Sequence, residues 1–120
     1  MTGDLARLAV ERRGSAAVAT LTGEVDLSNA ATVEDAVTDA VGGVAGVALD
    51  LGGLSYLDSA GLGLLSRLAA RFGGDGTALR LVVPSAAIVR RAIAVSGLDT
   101  AIPVDETVDA ALAELSDQPR

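Results

Sequence analysis

Leu8 and Val10 alternate with Arg7, Ala9 and Glu11, the period-two pattern of a half-buried strand. Arg13, Gly14 and Ser15 then supply turn chemistry before AAVATLTG (16–23), a second strand, so the chain is expected to open with an antiparallel hairpin. Past it the period changes. In NAATVEDAVTDAV, Val33, Val37 and Val41 recur at helical spacing with Glu34, Asp35 and Asp39 off the stripe; Ser28 is the expected cap, and Gly42 and Gly43 end the helix. GVALDL (46–51) is almost continuously apolar, as a strand covered on both faces should be. A GGLSYL loop follows, then a second helix with Leu62, Leu65, Ala69 and Phe72 inward and Arg67 and Arg71 outward, broken by GGDG (73–76). LRLVV (79–83) is a further strand closed by Pro84. Ser85 is expected to cap a third helix carrying Ile88, Ala92 and Ile93, ending at Gly97–Leu98. AIPV (101–104) reads as a short strand that Pro103 confines to a sheet edge. From Asp105 or Thr107 a last helix buries Val108, Ala111, Leu112 and Leu115, and the tail 116–120 is expected to fray. The order β-β-α-β-α-β-α-β-α, without repeats or a linker, predicts one α/β domain over 1–120: a mostly parallel sheet with an N-terminal hairpin and a core spanning about 5–115.

Composition narrows the chemistry. Half of the 120 residues are apolar, but Tyr56 and Phe72 are the only aromatics, so the core must be Leu, Val, Ile and Ala. A formal charge of −7, with sixteen acidic residues against nine arginines, disfavours a nucleic-acid or anionic-membrane partner and suits a protein with a basic face. No apolar run reaches the ~20 residues of a membrane span, and MTGDLARLAV lacks the charged-then-apolar order of a signal peptide; a cytoplasmic protein is expected. His, Cys and Lys are all absent. Triads, Schiff bases, a Walker lysine, disulfides and His or Cys metal sites are therefore unavailable, and GGDG follows a helix where a phosphate loop would precede one. No cofactor and no metal site are expected.

One junction stands out. LDLGGLSYLDSAGLGLLSRLAARF (49–72) passes from strand to helix through Asp58, Ser59, Ala60, Gly61, Leu62 and Gly63. Asp58 or Ser59 can serve as an ordinary N-cap, yet two first-turn glycines weaken a helix by roughly 1 kcal/mol each, which favours a surface that another backbone approaches. Ligands gather beyond the carboxyl ends of parallel strands, and a helix N-terminus there stabilises an anion, such as a phosphate on Ser59. GEVDLSNA (23–30) puts Glu24 and Asp26 at the end of the second strand. If that strand lies beside 47–51, Asp26 comes near Ser59.

The segment order, the G-E-V-D, and the L-D-L-x-x-L-x-x-L-D-S-A-G-L-G-L-L run resemble the STAS family, in particular bacterial anti-sigma factor antagonists, over roughly Leu5 to Leu115. The resemblance implies a STAS-like fold and a non-enzymatic regulatory switch. Ser59 would be phosphorylated by a partner anti-sigma factor that is itself an ATP-dependent kinase; the unmodified form would bind that partner and release a sigma factor, and a phosphatase would restore it. Asp58 is then the motif neighbour and Asp26 the nearby acid, while Ala60 stands where several relatives have a second hydroxyl, leaving Ser59 as the acceptor. Two other readings remain: an unphosphorylated STAS scaffold in a signalling or transport assembly, and a carboxylate-dependent Mg²⁺ enzyme using Asp26, Asp50 and Asp58. A phospho-accepting receiver domain would want a lysine. Tyr56 is expected as a lid over the core edge, Arg67, Arg71, Arg90 and Arg91 as solvated helix faces, and one of Leu62 and Leu64 as exposed beside Ser59.

Overall fold

The structure is a computed structural model that describes residues 5–116. Strands β1 (Ala6–Arg13) and β2 (Ala16–Val25) form the expected hairpin, in which Gly14 turns the chain at φ 62°. There follow α1 (Ala30–Ala40), β3 (Gly46–Leu57), α2 (Ser59–Gly74), β4 (Ala78–Val82), α3 (Arg90–Ser96), α4 (Leu98–Ala101), β5 (Val104–Asp105) and α5 (Val108–Ser116). The sheet runs β1-β2-β3-β4-β5, antiparallel in its first pair and parallel in the rest. Three crossovers advance the sheet in one direction, and a shared handedness sends them to one face. There α1 to α4 close the main core, with Val33, Val37, Leu64, Leu65, Leu68 and Ile93 against Leu21, Leu49, Leu51 and Leu81. Among the described residues, helix α5 covers the other face, setting Ala111 and Leu115 on Ala16, Val18, Ala48 and Val82.

Several local expectations need correction. The third strand does not stop at Leu51 but runs to Leu57, and GGLSYL is strand. Strand β2 offers pairing out to Val25, and β3 absorbs its surplus as two irregularities, one extra residue opposite Thr20–Thr22 and another opposite Gly23–Glu24. Gly53 is needed at the first of these, since a Cβ there would lie 2.8 Å from Thr22 Cγ2. Pairing with β4 ends at Asp50↔Val82, so Leu51–Leu57 continues beside β2 alone and carries Asp58 beyond the rest of the sheet.

The caps also differ. Asn29, not Ser28, precedes α1. Ser85 caps nothing: it is captured by Glu106, the chain turns through Pro84–Ala87, and α3 begins only at Arg90, which leaves Ile88 73% exposed while Ile93 stays buried. Ala101 belongs to the short helix α4, and the last strand is only Val104–Asp105, at the edge that Pro103 requires. Thr107 starts α5, its Oγ1 accepting from the Ala110 N–H at 3.1 Å. The inward face of α2 is Gly61, Leu64, Leu65, Leu68 and Phe72, whereas Leu62 and Ala69 are only partly buried. Of the tail expected to fray, 117–120 lies outside the described residues, and Ser116 closes α5.

Candidate functional site

Asp58 organises the carboxyl edge of β2 and β3. Its extended backbone (φ −96°, ψ −170°) ends β3, and its Oδ1 accepts from the Gly61 N–H at 3.0 Å as the N-cap of the sixteen-residue α2. Its Oδ2 accepts from the Leu27 N–H at 3.3 Å, and its own N–H donates to the Val25 carbonyl at 3.4 Å. One residue thus joins β3, α2 and the segment that leads into α1.

That segment is tied within itself as well. Asp26 Oδ1 accepts from both the N–H and the hydroxyl of Ser28. The Asp26 N–H donates to Asn29 Oδ1 at 2.9 Å, and Asn29 Nδ2 donates to the Glu24 carbonyl at 2.9 Å. Because Glu24 pairs with Tyr56 and Val25 with Leu57, Asp26 and Ser59 lie at the same edge, as the sequence suggested. The Asp26 carboxylate nevertheless serves its own turn, and Asp58 makes the link between the two strand ends.

Ser59 is the first residue of α2 and is exposed, and among the described residues its hydroxyl has no hydrogen-bond partner. A helix leaves its first four N–H groups without intrahelical partners. The N–H of Asp58 goes to the Val25 carbonyl and that of Gly61 to the Asp58 side chain, so those of Ser59 and Ala60 remain for an anion. Ala60, Leu62 and Gly63 are half-buried. Gly61 has an internal reason, close packing, where the sequence favoured an approaching partner backbone. Gly61 is buried, and a Cβ on it would overlap Leu57 Cδ1 and come within 3.2 Å of Val25 Cγ1; on Gly63 it would meet Arg67 Nη1 at 3.2 Å. Gly61 serves packing inside the domain, whereas Gly63 faces only the tip of the exposed Arg67 side chain.

Arg67 and Arg71 are not simply solvated. Arg67 Nε lies 2.7 Å from Glu34 Oε1 and Arg71 Nη1 3.1 Å from Glu34 Oε2, so the two arginines clamp α2 to α1. The hydrogen bond from Arg67, reinforced by Arg71, holds the Glu34 carboxyl below its ordinary range against the opposing effect of burial. Arg90 likewise donates to the Val83 carbonyl and approaches Glu106 at 3.5 Å, while Arg91 is exposed as expected. Ser85 donates its hydroxyl to Glu106 Oε2 at 2.6 Å and its N–H to Oε1 at 3.0 Å, and these bonds hold the Glu106 carboxyl low. Arg80 and Asp105 pair at 2.7 and 3.2 Å across β4 and β5, largely shielded; the Asp105 carboxylate raises the guanidinium pKa.

The remaining candidates separate. Tyr56 is 49% exposed on β3; Leu64 is fully buried and Leu62 half-buried, packed against the main core. Asp50 spends its Oδ1 on the Gly52 N–H at 2.9 Å, so Asp26, Asp50 and Asp58 each hold a nearby backbone N–H, and among the described residues no three acidic groups gather as metal ligands. Leu27, 83% exposed between Asp26 and Ser28, was missed. Its signal was faint: an apolar residue inside a polar turn, on neither the strand period nor the helical stripe.

Fold and site define a small α/β module that presents a serine at a capped helix N-terminus. The chain belongs to the STAS domain family, whose model matches residues 7–111. No curated protein matches it. Among solved structures it is similar to an anti-sigma factor antagonist from Mycobacterium paratuberculosis, with 28% identity, TM-score 0.84, and coverage of 97% of this chain and 98% of that one. It shares the fold of the anti-sigma factor antagonist SpoIIAA in its unphosphorylated form (21% identity, TM-score 0.73, 95% and 100% covered) and in its phosphorylated form from Bacillus (22%, 0.66, 91% and 99%). It also shares that of a sulfate transporter family protein from Wolinella succinogenes (19%, 0.73, 88% and 88%). No helix among the described residues is long and apolar enough to cross a membrane.

Proposed function

We propose that the protein is a cytoplasmic anti-sigma factor antagonist, and that phosphorylation of Ser59 switches off its binding to an anti-sigma factor. The observation that carries this reading is the exposed, unpartnered Ser59 hydroxyl on the first turn of a capped helix, in a chain similar throughout its length to a known antagonist. The phosphoryl group would come from the anti-sigma factor acting as an ATP-dependent kinase, and a phosphatase would remove it. This protein then needs no cofactor and contributes a substrate side chain.

The physics of the switch is local. A phosphate adds about −1.5 to −2 charge next to Asp58 and on the same edge as Asp26 and Glu24. The N–H groups of Ser59 and Ala60 favour that charge within the domain, so the helix tolerates it. A partner packed on Ser59 would have to desolvate the dianion, and binding is lost without a change of fold. The residues at stake are Asp58, Ser59 and Ala60, with Asp26, Glu24 and Tyr56 around them; Gly61, Leu62 and Gly63 support the turn from behind.

Two measurements test this. Co-purification of the Ser59→Ala protein from the source cell should recover an anti-sigma kinase, and Ser59→Asp should not. With that kinase and ATP, intact mass should show one phosphate on the natural chain and none on Ser59→Ala. Equal binding by the two variants would overturn the switch, and absence of phosphate would favour the scaffold role in a signalling or transport assembly.

A further inference from the structure

Resting on the partner binding proposed for Ser59, we infer that Leu27 is the apolar anchor of that interface, fitting a hydrophobic pocket with arginine or lysine at its rim on the partner protein. Leu27 is the most exposed large apolar side chain among the described residues, at 83%. Its exposure is not a result of looseness. Asp58 holds its N–H, the Asp26 carboxylate closes the turn on Ser28, and Asn29 bonds both the Asp26 N–H and the Glu24 carbonyl. A turn tied at so many points, with no glycine in it, fixes the backbone that presents this apolar side chain to water.

Such a group gains nothing for the isolated domain and much for a complex. Binding costs are lowest when the contact residues are already ordered, and the strongest contributions come from apolar anchors that fill a pocket. The surroundings define that pocket. Glu24, exposed, pairs across the strands with half-exposed Tyr56, and Asp26 and Asp58 flank Leu27 on either side. The anchor thus stands in an acidic segment, with Asp26 before it, Asp58 on its N–H and Glu24 three residues upstream, on a chain of net charge −7. A basic rim complements these carboxylates, speeds association and makes it sensitive to salt. The same Asp58 that bonds Leu27 precedes Ser59, so the phosphate arrives beside the anchor, where it opposes the desolvation that filling the pocket demands.

The test uses the anti-sigma kinase recovered with the Ser59→Ala protein, purified, against the full chain by surface plasmon resonance. Leu27→Ser should weaken binding roughly ten- to hundredfold, the loss expected from one buried leucine side chain, and Leu27→Met should restore most of it. Thermal melting of both variants should match the natural chain, since the side chain is exposed. Glu24→Gln should lower the association rate and flatten its dependence on salt. If Leu27→Ser binds like the natural chain while Ser59→Asp does not, the anchor is wrong and the switch stands. Equal losses by Leu27→Ser and Leu27→Met would also overturn the anchor. If neither the natural chain nor Ser59→Ala binds any anti-sigma kinase, both readings fall together.

Discussion

Ser59 and Ser85 occupy comparable places, each just after a parallel strand at the carboxyl edge of the sheet, and they have opposite fates. The Ser85 hydroxyl and N–H are both taken by Glu106, with Arg90 nearby, and no helix begins there for another five residues. At Ser59 the preceding aspartate does the capping instead, from one position upstream, and the serine hydroxyl is left over. The lesson is that a hydroxyl becomes available for modification when some other group satisfies the helix. Position on the edge does not suffice; the division of labour between Asp58 and Ser59 creates the free acceptor.

The sharpest way to break this contrast is phosphorylation itself. Under kinase and ATP, Ser59→Ala should lose all incorporated phosphate by intact mass and Ser85→Ala none; comparable loss in Ser85→Ala would refute the distinction. Next in size is the floor of the Ser59 turn. Gly61→Ala places a methyl on Leu57 and Val25 and should lower stability in urea by about 1–3 kcal/mol, as overpacking does. Gly73→Ala in the same helix, where a Cβ meets nothing within 4 Å, should raise it by up to about 1 kcal/mol. The same sign for both would mean that helix propensity alone governs the turn.

Smaller effects follow from the carboxylates. Glu34→Gln should lower stability at pH 7 by about 1 kcal/mol, the scale of a partly shielded pair held by hydrogen bonds. The folded-state pKa of Glu34 lies below its ordinary 4.5, so this stabilisation is complete above that value and is lost as pH falls through the lower folded pKa. Urea melts at pH 7 and pH 3 should show the gap between natural and variant chains closing at the acidic end; an unchanged gap would locate the effect outside the clamp. The faintest signal is at Ser85, whose amide resonance should follow Glu106 with a midpoint below the ordinary 4.5. A midpoint at or above that value would mean that Ser85 is not captured in solution.

Much of the architecture was readable because it is encoded locally. Val33, Val37 and Val41 announce α1, LRLVV announces β4, and Asp58 before a leucine-rich helical stripe announces the cap. What escaped depends on distant partners. Gly52 and Gly53 looked like a loop because the strand that pairs Thr20 with Asp50 and Thr22 with Gly53 lies about thirty residues upstream. Arg67 and Arg71 looked solvated because Glu34 sits on another helix. Ser85 looked like a cap until Glu106, from the far side of β5, claimed it. At the site, residue types singled out Ser59, Asp58 and Asp26 as candidates, but only the folded chain shows that Asp58 makes the bridge and that Gly61 faces inward.

The sequential strand order has a consequence for biosynthesis. Each strand's partner precedes it in the chain, so a polypeptide leaving the ribosome amino end first can add strands to a growing sheet without waiting for a later segment to insert between them. Strands β2 and β3, which hold the Ser59 turn, can be paired while the second half is still being made. Helix α5, made after all five strands, is among the described residues the element over the opposite face, so until it docks Ala48 and Val82 lie open to water. The Ser59 edge is assembled from strands made early, and the cover of the opposite face arrives only with α5.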